Sequence, residues 1–274
     1  MNATGILDNP AATRITRVAG LSRRAARTKH RRFIVEGPQG VREAVRCAPE
    51  HVIDLYLTPE AARNYSDIAD AAAAAELYTH LVTPAVMRAM SEDAQGIVAV
   101  VGAAAVAAPA AGLGEALQGA RLVAVLTETQ DPGNAGTIIR AADAAGADAV
   151  VLVKGSVDPT NPKVVRSTAG SLFHLPVLAG VSLEETLDAL RHAGIAVLAA
   201  DGHGEVDLFG AEAALAAPSA WLLGNEARGL SADVLAQADT VVSIPIFGRA
   251  ESLNVASAAA LCLYASARAQ HAHA

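Results

Sequence analysis

Aromatic residues are scarce in this chain of 274 residues: 3% in all, with a single Trp. Val, Leu, Ile and Ala must therefore fill any core, and an apolar content of 52% is enough to build one. Cysteine is nearly absent. Cys47 and Cys262 lie far apart and show no metal or redox spacing, which reads as two buried thiols in a cytoplasmic protein. No uninterrupted apolar run reaches the 18 residues or more of a membrane span, and the N-terminus has no apolar signal-peptide core, so no membrane partner is expected. The eight histidines form no ligand cluster along the sequence; His174 and His192 read as structural or surface residues, and no metal centre is expected. Two nucleotide signatures are also missing. No G-x-G-x-x-G follows a predicted strand, Gly202-His-Gly204 lacks the third glycine at the required offset, and there is no P-loop Lys-Ser/Thr pair. A nucleotide-dependent oxidoreductase thus lacks its fingerprint.

The net charge of −7 argues on its face against nucleic acid. Its distribution argues otherwise. Between Asn9 and Val35 stand eight basic residues and no acidic one: Arg14, Arg17, Arg23, Arg24, Arg27, Lys29, Arg31 and Arg32. Local charge, rather than the sum, sets attraction to phosphate. A solvated basic helix is the competing reading of such a run.

Four segments follow from composition and periodicity. Residues 1–12 are expected to be a disordered tail. Residues 13–102 form an α/β unit led by a basic helical arm, Ile15 to Lys29. Strands are expected at Phe33–Glu36, Val52–Leu57, Leu77–Leu81 and Ile97–Val101, with helices at Pro38–Cys47, Pro59–Ala75 and Pro84–Met90. Residues 103–119, rich in Ala, Gly and Pro, read as a linker. Residues 120–274 alternate strand and helix. The strands are Leu122–Leu126, Ala149–Val153, Leu175–Leu178, Ile195–Ala200, Ala220–Leu223 and Thr240–Ile244, and a long Ala- and Leu-rich helix runs from Val255 to Ala269. Alternation of this kind implies a parallel sheet covered on both faces, which binds ligands beyond the carboxyl ends of its strands.

Three stretches sit at such ends: Thr127-Glu-Thr-Gln-Asp-Pro-Gly-Asn-Ala-Gly-Thr-Ile-Ile-Arg140, Trp221-Leu-Leu-Gly-Asn-Glu-Ala-Arg-Gly-Leu230, and Ser243-Ile-Pro-Ile-Phe-Gly-Arg-Ala-Glu-Ser-Leu-Asn-Val255. Any one of them would pass for an ordinary βα connection. In order, they resemble the signature motifs of the SpoU (TrmH) family of RNA ribose 2′-O-methyltransferases. Asn134, Gly136 and Arg140 match the first motif, and Gly224, Glu226 and Gly229 the second. Ile244, Pro245, Ser252, Leu253, Asn254 and Val255 match the third. The phrase Arg32-Phe-Ile-Val-Glu-Gly-Pro-Gln-Gly-Val-Arg-Glu-Ala is similar to the start of that family's substrate-binding domain, which resembles small ribosomal RNA-binding proteins in fold.

The resemblance implies a SPOUT domain whose C-terminal segment threads a trefoil knot, a feature composition alone would not suggest. It implies S-adenosylmethionine as cofactor, held by Leu223, Gly224, Ile244, Leu253 and Asn254. It implies a catalytic set of Arg140, Asn134, Glu226, Ser252 and Asn254. Arginine side chains titrate above about pH 12, so Arg140 is a poor base and a better clamp on phosphate and on a developing alkoxide. A cation near a helix start opposes the helix dipole, which suggests a purpose for its position. Asn134 is a candidate to hold Arg140 or the ribose, or to cap its helix, and Glu226 to position Arg140 or the loops, or to relay a proton. Capping competes with a site role for Ser252 and Asn254. Arg23, Arg24, Arg27, Arg31 and Arg32 of the arm, with Arg228 and Arg249, are expected to meet RNA. The expected partners are ribosomal RNA and a second copy of the chain. Two alternatives remain: a tRNA ribose methyltransferase, and a non-catalytic RNA-binding or ribosome-assembly protein on the same fold, against which the intact polar set speaks. Ala135 and Ala256 depart from bulkier or hydroxylated residues common in the family, and neither carries a reacting group.

Overall fold

A computed structural model describes residues 5–106 and 112–272. The chain divides into two compact units, Met1–Val106 with Thr160–His174, and Ala107–Pro159 with Leu175–Ala274.

The first unit opens with α1 (Thr13–Gly20) and α2 (Arg24–His30), then β1 (Arg32–Glu36), α3 (Pro38–Cys47), β2 (Val52–Leu57), α4 (Pro59–Asn64), α5 (Ser66–Ala74), β3 (Thr79–Leu81), α6 (Pro84–Met90) and β4 (Ile97–Gly102). Proline starts α3, α4 and α6, where its missing N–H is no loss, and Thr58 and Thr83 cap the latter two. The sheet order is β1-β4-β2-β3. β4 is antiparallel to both neighbours, and β2 and β3 are parallel.

Three expectations need correction here. The described part of the tail is ordered: Leu7 N–H donates to Leu81 O at 2.8 Å, and Thr83 N–H donates to Leu7 O at 2.9 Å. The arm is two helices, not one, and it is docked. Ile15, Val18 and Leu21 are buried against Val86 and Met87, which leaves only its basic face to solvent. The expected helix from Pro59 to Ala75 breaks at Tyr65, which closes α4 before α5 begins. Residues 1–4 of the tail lie outside the described residues.

The second unit comprises α7 (Leu113–Leu117), β5 (Leu122–Leu126), α8 (Pro132–Ala144) and β6 (Ala149–Val153). After α9 (Pro162–Thr168) come β7 (Val177–Val181), α10 (Leu183–His192), β8 (Ala196–Ala200), β9 (Val206–Asp207), α11 (Glu212–Ala216), β10 (Ser219–Leu223), α12 (Ala232–Leu235), β11 (Thr240–Ser243) and α13 (Val255–His271). The order β7-β6-β5-β10-β8-β11-β9 is parallel throughout. Every residue of β5, β6 and β10 is buried, as a sheet covered on both faces requires. Trp221 is the largest buried side chain; its indole N–H donates to Ser266 Oγ at 2.9 Å and ties β10 to α13.

The expected linker is only partly a linker. Residues 107–111 lie outside the described residues, but Leu113 and Leu117 of α7 are buried in the core of the second unit. Between β8 and β10, where no element is expected from the sequence, stand β9 and α11, too short to show a period. The stretch expected to be continuous from residue 120 to 274 also leaves its unit. α9 and the following 3-10 turn, Ser171–Phe173, pack in the first unit, where Arg166 pairs with Glu36 and, at 3.1 Å, with Asp93. Cys47 is exposed rather than buried, whereas Cys262 is buried, which pushes its thiol pKa up to about 12.

Candidate active site

The site grows from three strand ends. After β5 the chain turns through Glu128, at φ 54°, and enters α8. The cap of α8 is Asp131, which accepts from Asn134 N–H at 2.8 Å, and Pro132 stands in the first turn. Asn134 is therefore inside the helix, and its side chain is released for other work. After β10, Asn225 and Gly229 close a narrow turn with backbone hydrogen bonds of 3.2 and 2.9 Å. That turn projects Glu226. After β11 the chain runs through an exposed loop to Asn254, which caps α13 by accepting from Ala256 N–H at 2.9 Å.

Three polar side chains join these pieces. Glu226 Oε1 accepts from Asn134 Nδ2 at 3.3 Å and from Asp131 N–H at 3.2 Å, and Oε2 accepts from Gln130 N–H at 3.3 Å. Asn134 Oδ1 in turn accepts from Asn254 Nδ2 at 3.1 Å. One residue from each motif thus forms a chain of hydrogen bonds that sets the spacing of the three loops. A carboxylate near the first turn of α8 is also favoured by the helix dipole.

A cleft of about 350 Å³ opens beside this network, at the carboxyl ends of β8, β10 and β11. Leu223, Gly224, Ile244 and Leu253, all expected to hold the cofactor, line it together with Ser252. Asn254 stands just outside, flanked by the lining residues Leu253 and Val255. Three carboxylates, Asp201, Glu226 and Glu251, also line the cleft, and none of its lining residues is basic. Sequence reasoning missed Asp201 and Glu251; the Asp201-Gly202 bend at the end of β8 was the available signal. Such a wall suits a ligand with an apolar aromatic body and positive charge, and opposes a pyrophosphate. Gly224 is fixed by packing. A Cβ there would fall 2.5 Å from the carbonyl carbon of Gly229, which only glycine avoids.

Arg140 is placed differently from expectation. It is residue nine of α8, in mid-helix, where the dipole of the helix end no longer acts on it. It is exposed, does not line the cleft, and its side chain makes no hydrogen bond or ion pair among the described residues. Asn134 and Glu226 hold each other instead of holding Arg140. Arg228 is bound by Glu128 at 2.7 Å, and Arg249 is exposed. Ser252 is exposed on the cleft wall and caps nothing.

In the first unit, Arg23, Arg24, Arg31 and Arg32 are exposed as expected. Arg27 is not: it is 5% exposed, and its guanidinium donates to Leu21 O at 3.2 Å, Ser22 O at 2.9 Å and Thr160 Oγ1 at 3.2 Å. It clamps the bend between α1 and α2 and is withdrawn from solvent. The structure adds a basic cleft of about 770 Å³, walled by Arg14, Arg17, Lys29 and Arg32. Arg14 and Arg17 are three residues apart on one face of α1, a spacing visible in the sequence but not weighed there. Tyr56 lies on the same wall, and burial raises its pKa to about 12, which keeps the hydroxyl neutral.

An all-parallel sheet with an acid-walled cleft of about 350 Å³ at the carboxyl ends of its strands places the second unit in the open α/β class that binds ligands there. The sequence profile of the SpoU rRNA Methylase family matches residues 121–264, and that for RNA 2′-O ribose methyltransferase substrate binding matches residues 34–106. The chain belongs to the SpoU rRNA methylase family.

It is 43% identical over 153 residues to a 23S rRNA (guanosine(2553)-2′-O)-methyltransferase of Bacillus subtilis, covering 55% of this chain and 59% of that one. It is 43% identical over 142 residues to a 23S rRNA (uridine(2479)-2′-O)-methyltransferase of Streptomyces viridochromogenes, covering 50% of this chain and 49% of that one. The chain thus spans between about half and three fifths of the length of these relatives. Among solved structures, the SpoU methyltransferase AviRb from Streptomyces viridochromogenes superposes with a TM-score of 0.81 at 32% identity, covering 96% of this chain and 99% of that one. An AdoMet-bound rRNA methyltransferase from Sinorhizobium meliloti gives 0.80 at 27% identity, covering 96% and 97%.

Proposed function

We propose that this protein transfers a methyl group from S-adenosylmethionine to a ribose 2′-hydroxyl of ribosomal RNA. The observation that carries the reading is the acid-walled cleft joined to the Glu226–Asn134–Asn254 network, in a chain of this family. Relatives named for 2′-O-methylation of 23S rRNA support the substrate class, and the AdoMet-bound neighbour supports the cofactor.

The residues present fit that cofactor. Leu223, Ile244 and Leu253 offer apolar walls to an adenine, and the cluster of carboxylates suits a sulfonium and an amino group. A Cβ built on Gly202 meets nothing within 4 Å, so that wall is open. When bound, the cofactor supplies an electrophilic methyl group. The chain must align a ribose oxygen behind it, exclude water and receive the hydroxyl proton. Glu226, Asn134 and Asn254 hold the loops in register. Ser252 offers a hydroxyl on the cleft wall. Arg140 stabilises the alkoxide and the neighbouring phosphate as a fixed charge. Calorimetry is expected to give heat with S-adenosylhomocysteine and none with NAD; the reverse would overturn the cofactor assignment.

The knot belongs to the same reading. A Cβ on Gly204 would lie 2.6 Å from the Val242 carbonyl carbon and 2.7 Å from the Ser243 nitrogen, so the chain passes the end of β11 with no room for a side chain. We assign residues 13–102, with their ribosomal-protein-like order of elements, to RNA binding in the cytoplasm through the basic cleft. Alanine at Arg14, Arg17, Lys29 and Arg32 is expected to weaken RNA binding and lower the log–log salt slope by about 0.7 to 0.9 for each phosphate no longer neutralised, with cofactor affinity unchanged. An unaltered slope in a filter-binding titration would exclude the cleft.

The second copy is assigned to α13. Although that helix is apolar on nearly every face, Leu261 and Tyr264 are 42% and 52% exposed along one side. A homodimer covering them is the proposed state. Light scattering should give twice the mass of the chain, and Leu261→Asp should move it towards the monomer.

A further inference from the structure

We propose that Glu43, Cys47 and His174 form a binding site for one zinc-class divalent ion within the first unit. Glu43 and Cys47 are four residues apart on α3, which puts both on one face of the helix. His174 ends the turn that follows α9 and reaches the same face. A thiol sulfur, an imidazole nitrogen and a carboxylate oxygen all lie within 4.8 Å of one another. Sequence spacing hid the cluster, because its third member is more than a hundred residues from the other two.

Two of the three separations lie near what an ion would impose, and the third is within 4.8 Å. Tetrahedral zinc, with bonds of about 2.3 Å to sulfur and 2.0–2.1 Å to nitrogen and oxygen, holds its ligand atoms roughly 3.3–3.6 Å apart. His174 Nε2 lies 3.3 Å from Glu43 Oε2, and Cys47 Sγ lies 3.8 Å from the same oxygen. Small side-chain rotations complete the geometry, since Cys47 and His174 are exposed.

The backbone is shaped to bring His174 there. Gly170 has φ 105°, a conformation other residues rarely adopt, and a Cβ on it would fall 2.5 Å from Glu43 Cγ. Glycine lets the chain close over α3 at this point, and that closure delivers the imidazole.

The donor chemistry selects the ion. Thiolate with imidazole and one carboxylate is a borderline-soft set that favours Zn²⁺ over Mg²⁺ or Ca²⁺, which seek oxygen ligands. Three protein ligands leave a fourth position for water. Binding releases the Cys47 proton to solvent and fastens the segment after α9 to α3.

The test uses the full chain with metal alone, without cofactor or RNA, so its outcome is separate from the fate of the methyltransferase assignment. Calorimetry should give one Zn²⁺ per chain. Co²⁺ in its place should show a thiolate-to-metal charge-transfer band. Cys47→Ser should abolish that band and weaken Zn²⁺ binding at least tenfold; His174→Gln and Glu43→Gln should each weaken it by about tenfold or more. His192→Ala, elsewhere on the surface, should change nothing. Cys262 is buried and does not contribute to the band. No thiolate band, or Zn²⁺ affinity unmoved by Cys47→Ser, would overturn the site and leave an ion pair with a hydrogen-bonded thiol. Cys47 is exposed at the end of its helix, so its serine variant keeps the fold and the result stays decisive if the other variants do not express.

Discussion

Gly224→Ala is expected to remove measurable binding of S-adenosylmethionine, a loss of a hundredfold or more. The added Cβ would stand 2.5 Å from the Gly229 carbonyl carbon, 2.8 Å from the Leu230 nitrogen and 2.9 Å from the Gly229 oxygen. All three are backbone atoms, so no side chain can swing aside. Relief requires opening the Asn225–Gly229 turn and breaking its two backbone hydrogen bonds. Overpacking of this kind costs about 1–3 kcal/mol in stability. The larger effect is on the site, because the same turn carries Glu226, and Glu226 holds the α8 entrance and Asn134. Gly210→Ala is the control, since a Cβ there meets nothing within 4 Å. Calorimetry with S-adenosylhomocysteine reads both variants. Normal affinity in Gly224→Ala would mean that the turn is not part of the cofactor site.

Arg140→Ala is expected to lose about a hundred- to a thousandfold in methyl transfer, the usual cost of removing one charge-stabilising group, with cofactor affinity intact. The two readouts separate because Arg140 does not line the cleft. Arg140→Lys distinguishes roles. A clamp loses its planar fork but keeps its charge, so turnover should be slow and the pH–rate profile unshifted. Were Arg140 itself the base, lysine's lower pKa would move the profile to lower pH. The clamp is the expected role, because a guanidinium stays charged at any working pH. Near-normal turnover by Arg140→Ala on its true RNA would remove Arg140 from the site.

The second unit was largely legible because its strands are short, β-branched and buried on both faces, and its helices are bounded by Pro, Gly and capping residues. Its motif loops were placed correctly at strand ends. Side-chain direction was not legible. Which of Asp131 or Asn134 caps α8 depends on a single turn of backbone, and that choice decides whether Asn134 faces Glu226. Arg27 shows the same limit. Composition counts it among eight exposed cations, but the bend between α1 and α2 needs a buried donor for the carbonyls of Leu21 and Ser22. The departure of α9 into the first unit was hidden because its sequence, Pro162-Lys-Val-Val-Arg-Ser-Thr168, reads like any other crossover helix. Local pattern specifies an element; only long-range pairing, here Arg166 with Glu36, specifies which core it joins.

Ribose methylation of ribosomal RNA is read from the position of the methyl group. Ribosomal RNA lacking the modification is incubated with the protein and isotope-labelled S-adenosylmethionine, digested to nucleosides and fragments, and analysed by mass spectrometry. The expected result is one labelled 2′-O-methylated nucleoside within a single fragment, with the adjacent phosphodiester resistant to alkali and the signal strongly reduced in Arg140→Ala. A label on a base, or no transfer to ribosomal RNA by a protein that binds S-adenosylhomocysteine, would contradict the account.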